Sequence, residues 1–318
     1  MNNGFSHLSD VMGELKPFER AAMFIWIGLS VVLTFGLAAF GVPYISSFSY
    51  HSPLAVFALL PFAPLLLIMT EKTPLEDEGM GLGYDKIALL LVLELIGIIL
   101  ALFLPLPWYL NPATFIVTFL IPLYVTLFIL KIPGERLGFT GLKVRNILGS
   151  LILTLAYAML VFIAYGFNEL VRGVEFFRAN YFVDPIISLS NLPLAVLYSI
   201  PVLLLLAAIP EEFMFRTLIQ TNLTEKHGPL LGLLASALIF GLFHIPVNYL
   251  TYLVFTPLPA DALILAVLFS FAYQAQVGFI FGIAWQRSKS LVLPVSLHLV
   301  HNMVEMAPVF LILILGLA

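Results

Sequence analysis

The chain has 318 residues, of which 61% are hydrophobic and 10% charged, and its mean hydropathy is +1.07. Ordinary soluble domains carry roughly 25% charged residues, so this composition excludes a water-soluble globule and gives a polytopic membrane protein. The net charge of −4 points to neither nucleic acid nor an anionic surface, and the lack of cysteine excludes disulfides, thiolate metal sites and cysteine nucleophiles.

Residues 1–20 are polar, with Lys16 and Arg20 just before the first apolar run. That run passes residue 40 with no cleavage site of signal-peptide type and is expected to be the first span. Nine stretches are expected to cross a bilayer: 21–42, 53–70, 87–106, 113–130, 147–167, 193–222, 229–247, 262–285 and 291–316. Backbone groups cannot stay unpaired in lipid, and no alternating ten-residue segments indicate a barrel. The expected fold is therefore an all-α, polytopic transmembrane helix bundle of about nine spans. Pro61, Pro122, Pro201, Pro210 and Pro294 fall inside these stretches and are expected to break them.

Orientation follows from lysine and arginine. With the N-terminus in the cytoplasm, Lys16, Arg20, Lys72, Lys86, Lys131, Arg136, Lys143, Arg145, Lys226, Arg287 and Lys289 lie inside. Only Arg172 and Arg178, in the loop 168–191, then lie outside, and nine spans put the C-terminus outside. There is no internal repeat. GLGYD at 81–85 is similar to the aspartyl intramembrane protease motif, but its Asp85 sits one place too far on and has no partner aspartate in a neighbouring span.

The ionisable residues inside expected spans are Glu94, Glu211, Glu212, Arg216, His244, His298, His301 and Glu305, and all but Glu94 fall in about the last 110 residues of the chain. Charges at membrane depth usually face a cavity or pathway. Glu211 lies about 15 residues from Lys226, roughly 22 Å at 1.5 Å per residue, and His244 about 16 from Gly228, roughly 24 Å. His298 and Asn302 lie about 9 and 13 residues from Lys289, roughly 14 and 20 Å, so all these groups can meet in one layer.

Spacing assigns faces. His298 and Asn302 are four apart, as are Glu212 and Arg216, which are expected to pair. Glu211 shares its stripe with Phe215 and is left freer to act. Phe240, four before His244, is expected under its ring, and Pro210 is expected to open the helix locally beside the carboxylates. Taken singly, each group has a structural role open to it: ion pair, helix-contact histidine, interhelical hydrogen bond. His301, Glu305 and Glu94 are read as structural. Together, two adjacent carboxylates and two histidines at one depth exceed what joining helices requires.

EEFMFR (Glu211 to Arg216) resembles a family motif EExxxR, FGLFH (Phe240 to His244) resembles FxxxH, and HLVHN (His298 to Asn302) resembles HxxxN. In this order they resemble the CPBP (CAAX protease and bacteriocin-processing, abortive-infection-like) intramembrane endopeptidases, which include the type II CAAX prenyl endopeptidases. The resemblance covers roughly 193–305, and ERLGFTGLKVRNILG at 135–149 is similar to the lead-in of that domain. Residues 1–130 lie outside the resemblance and are expected to be additional spans, with a lead-in segment and span over 131–192 and a catalytic core over 193–318.

The resemblance implies that Glu211 is the base activating a water, helped by His244. It implies that His298 and Asn302 bind the oxyanion, with Glu212 and Arg216 in support. It leaves the cofactor open: zinc held by Glu211, His244 and His298, or a metal-free, glutamate-activated water. The implied partners are membrane lipids and a membrane-associated or lipidated protein or peptide; nucleic acid is not among them. The competing functions are a catalytically idle scaffold or immunity protein and a transporter. A transporter is expected to show repeats, absent here. A serine protease of rhomboid type has no suitable context at Ser150, Ser236, Ser270 or Ser296, and a site-2 protease lacks its HExxH.

Overall fold

The computed structural model describes residues 17–39, 84–102, 149–159, 161, 200–201, 203–255 and 259–314. Among these the chain is almost entirely helical, with no strand. The expected spans 53–70 and 113–130 lie outside the described residues, as do the loop 168–191 and the breaks at Pro61 and Pro122.

Helix α1 (Pro17–Ala39) starts with proline at its first position and Glu19 in its first turn, both favoured where free N–H groups leave partial positive charge. Helix α2 is Tyr84–Leu102, with the exposed Asp85 in its first turn, and α3 is Gly149–Met159. Helix α4 covers 204–227 and changes winding along its length. Leu204–Ala208 is π-helical, Ile209–Glu212 α-helical, Phe213–Gln220 π-helical and Thr221–His227 α-helical. Pro210 has no N–H to give, and wide i→i+5 turns on either side take up the break. The local opening expected at Pro210 is therefore a change of helical pitch rather than an end of the helix.

Gly228 makes the turn to α5 (Pro229–Phe255). Its φ of 84° is open to glycine, and its N–H donates to the Thr224 carbonyl at 2.9 Å. Proline then opens α5, and Pro246 lies inside that helix. Helix α6 covers 259–288 as Pro259–Phe269, a π turn Ser270–Gln274 and Ala275–Ser288. It ends at Lys289, a left-handed residue with φ 51° whose N–H donates to the Trp285 carbonyl. Helix α7 (Val292–Ile314) follows at once. Pro294, expected as a break within the last span, sits instead in the first turn of α7, where a missing N–H disrupts nothing.

Within 229–288, Pro229–Tyr249 and Ala260–Ser288 are long and apolar enough to cross a membrane. Helix α5 lies at the centre, against α4, α6 and α1, while α7 packs on α6 and α4. Close approach depends on small residues: a side chain at Gly241 would meet the Ser270 carbonyl, and one at Gly278 the Phe240 ring. Polar ties cross the same contacts. Asn248 Nδ2 donates to Ser270 Oγ at 2.8 Å, and Gln220 Nε2 to the Gly282 carbonyl at 2.9 Å. Such interhelical bonds contribute on average about 0.6 kcal/mol each in lipid.

The N-terminal helix is part of this body. Trp26 of α1 stacks on Phe279 of α6 at 4.5 Å between ring centres, and Glu19 Oε1 lies 3.1 Å from Arg287 Nε, both side chains buried. Outward faces are apolar: Phe24 and Val32 on α1, Leu155 and Met159 on α3, and Leu242 on α5 are exposed. In water such surface would drive association, and in lipid it is solvated.

Candidate active site

Pro210 and the π winding set the first two groups of the site. Glu211 and Glu212 are adjacent and buried, and wide turns bring residues four and five apart onto one face. Glu212, Arg216 and Gln220 thus form a stripe toward α5 and α6. Arg216 Nε donates to Glu212 Oε2 at 2.7 Å, and neither side chain is accessible to solvent. The same guanidinium reaches Ser236 Oγ of α5 at 3.4 Å and lies 5.2 Å from the Phe240 ring centre. Ser236 Oγ donates in turn to the Phe215 carbonyl at 3.0 Å. A charge taken wholly out of water needs such company, because removing one partner strands the other.

Helix α7 supplies the imidazole. His298 Nδ1 is 2.8 Å from Glu212 Oε1, so one carboxylate holds arginine on one oxygen and histidine on the other. With its proton on Nδ1 directed at Glu212, the ring turns Nε2 toward Glu211, whose Oε2 is 3.9 Å away. Phe281 of α6 stacks on the His298 ring at 5.3 Å, and Phe240 meets it edge-on at 6.2 Å. Two aromatic contacts and a bond at one nitrogen thereby fix the ring.

Glu211 differs from its neighbour. Its Oε2 is buried without a hydrogen-bond partner among the described residues. The 3.9 Å gap to His298 is too long for a direct hydrogen bond and suits a bridging group. A buried carboxylate oxygen left unmet carries a desolvation penalty of about 1–3 kcal/mol or more, so the arrangement calls for water or substrate there.

His244 lies on α5 with its ring 4.5 Å from that of Phe240, as its spacing predicts. Its Nδ1–H donates to the Phe240 carbonyl at 2.8 Å, which leaves Nε2 as the nitrogen that can accept a proton. Phe240 therefore touches His244, Arg216 and His298 together. Asn302 lies one turn beyond His298 on α7 and is half-buried. Thus Glu211, Glu212, Arg216 and His298 come together, His244 adjoins them through Phe240, and Asn302 follows on the His298 helix. The side chains of Glu94 and Glu305 lie outside the described residues.

Among the described residues, no three His, Asp or Glu side chains are grouped to hold a metal ion. Glu211 and His298 approach each other, but His244 does not complete a three-donor set with them. The residues as placed do not fit the zinc centre open at the sequence level.

Spacing alone did not reveal the bond from His298 to Glu212, because it joins helices 86 positions apart in sequence. Phe281 was likewise missed, and Ser236, discounted as a serine nucleophile, was not read as a partner of Arg216. Neither belongs to a spaced polar pair, and in so apolar a chain a further serine or phenylalanine carries no signal.

A helical bundle with two buried carboxylates, a buried guanidinium and an imidazole from a distant helix defines a class of membrane-embedded acid–base centre. Residues 193–304 match the family described as Type II CAAX prenyl endopeptidase Rce1-like, which points to an intramembrane protease of CAAX type. That segment runs from just before α4 into α7 and contains every member of the site. No curated protein and no solved structure matches the chain.

Proposed function

We propose that this protein is an intramembrane endopeptidase that hydrolyses a peptide bond near the C-terminus of a lipidated or membrane-bound protein, through a metal-free, glutamate-activated water. The observation that carries this reading is the unmatched Glu211 Oε2 facing His298 Nε2 across 3.9 Å, beside a fully paired Glu212. One carboxylate orients; the other is left to react.

In the proposed reaction Glu211 takes a proton from a water as its oxygen bonds to the scissile carbonyl carbon. His244, with Nε2 as its accepting nitrogen, helps to orient that water. His298, carrying a proton on Nε2, and the Asn302 amide donate to the oxyanion that forms. When the C–N bond breaks, the proton on Glu211 passes to the leaving amine. Glu212 acts throughout on His298, holding its Nδ1–H, while Arg216 balances the Glu212 charge. The orientation proposed is N-terminus in the cytoplasm, from the lysine and arginine distribution, with lipid around the apolar faces.

The test is cleavage of a farnesylated C-terminal peptide by the purified full chain in lipid nanodiscs, with Glu211→Gln as its partner. Wild-type cleavage that is lost in Glu211→Gln and insensitive to chelator supports the reading. Cleavage that survives in the variant, or that chelation abolishes, overturns the glutamate-only mechanism.

A further inference from the structure

His301 is read from the sequence as structural, and its surroundings show what kind of structural role it has. It is buried, and both ring nitrogens meet tyrosine hydroxyls. Tyr157 of α3 lies 2.7 Å from Nδ1, and Tyr273 of the α6 π turn lies 3.0 Å from Nε2. A neutral imidazole has one N–H and one lone pair, so one tyrosine donates to the ring and the other accepts from it. The ring is thus gripped from two helices through a bond at each nitrogen.

His301 also lies three residues beyond His298, one turn along the same helix. Phe281 bridges the two: it stacks on His298 at 5.3 Å with planes 28° apart and meets His301 edge-on at 6.2 Å. Tyr157 contacts the same phenylalanine edge-on at 6.1 Å. We propose that Tyr157 and Tyr273, acting through His301, are positioning residues that set the rotation of α7 and so the placement of His298 against Glu211 and Glu212. The inference rests on the proteolytic reading of that site.

The physical reason is leverage. On a helix with side chains reaching roughly 6 Å from the axis, a rotation of about 10° moves a ring by about 1 Å. Misplacement by that much at a reacting centre lowers rate by up to about a hundredfold. A grip on one ring from α3 and α6 resists that rotation in both directions. Tyr157 stands outside the matched segment 193–304, so the reacting unit includes a helix before it.

The experiment uses the full chain in nanodiscs with ¹⁵N-labelled histidine, comparing wild type, Tyr157→Phe, Tyr273→Phe and Tyr84→Phe. Tyr84 contacts His227 at the α4–α5 turn and serves as a control far from the site. The expected result is that Tyr157→Phe and Tyr273→Phe each shift the ring-nitrogen signals of both His301 and His298. Each is expected to lower kcat about tenfold with KM within about twofold, while Tyr84→Phe moves only His227. In a His301→Phe background, the Tyr157→Phe loss is expected to vanish, since the tyrosine then has no ring to act through.

His298 signals that stay in place while those of His301 move would overturn the proposal, as would an undiminished kcat or a loss that persists without His301. If Tyr157→Phe does not fold, Tyr273→Phe decides the same points. If the wild type does not cleave the peptide, the proteolytic reading fails by itself, and the His298 signals still decide whether the grip reaches that ring.

Discussion

Two buried arginine–glutamate pairs lie among the described residues, and they differ in what surrounds them. Glu19 of α1 and Arg287 of α6 form a one-to-one pair at 3.1 Å, flanked by apolar contacts such as Trp26 on Phe279. Glu212 and Arg216 form a closer pair at 2.7 Å, but a second carboxylate and an imidazole are added to it. The first arrangement sets one charge against one, with Arg287 Nε near Glu19 but without a hydrogen bond, and fastens one helix to another. The second gathers two acids around one guanidinium and leaves Glu211 Oε2 unmatched. Burial and charge alone therefore do not mark a reacting site; the surplus group does.

The sharpest way to break that contrast is to neutralise the surplus. Glu211→Gln is expected to lower cleavage by about 10²–10⁴-fold while the unfolding midpoint in detergent stays put, since the amide keeps the shape. An equal loss in Glu19→Gln would erase the distinction between the two regions.

Next in size is the centre's own pair. Arg216→Met strands Glu212 and is expected to destabilise the fold by about 3–5 kcal/mol, read from thermal unfolding in detergent. Arg216→Lys is expected to recover only part of this, because an ammonium cannot both hold Glu212 and reach over the Phe240 ring in the same way.

The α1–α6 pair gives a third contrast. Glu19→Leu or Arg287→Met alone is expected to destabilise by up to about 3 kcal/mol, less than Arg216→Met because the pair lies at helix ends. The double substitution is expected to lie close to wild type in stability, because no charge is then left buried. Residual cleavage measured on the folded fraction is expected to stay within about twofold of wild type throughout.

The smallest effect is expected at the turn before α5, where Lys226 lies 3.8 Å from the Tyr84 ring centre. Lys226→Met is expected to change stability by about 1 kcal/mol or less, with no change in cleavage. A large loss there would show that α2 bears on the site.

Much of the polar layer was legible before any coordinates. The i, i+4 spacing of Glu212 and Arg216 yields a pair because helical geometry sets residues four apart side by side on one face. The same rule put Phe240 under His244. Helical character over α1 and α4 to α7 followed from long apolar runs, whose backbone has no other way to satisfy itself in lipid. Motif order and spacing also singled out the segment that matches the CAAX-type protease family.

Distance in sequence hid the rest. The bond from His298 to Glu212 and the grip of Tyr157 and Tyr273 on His301 depend on how α3, α6 and α7 rotate against one another. That rotation is set by glycine contacts and interlocking rings over the whole bundle, not by any local pattern. Proline at 210 announced a break, but only packing against α5 and α7 decided that the chain would continue as π turns and carry Glu212, Arg216 and Gln220 on one face. The sequence alone determined which groups carry charge into the membrane, because residue type and spacing are local. Tertiary structure decided which of those charges would be satisfied and which left to react, because partners in a helical bundle come from other helices.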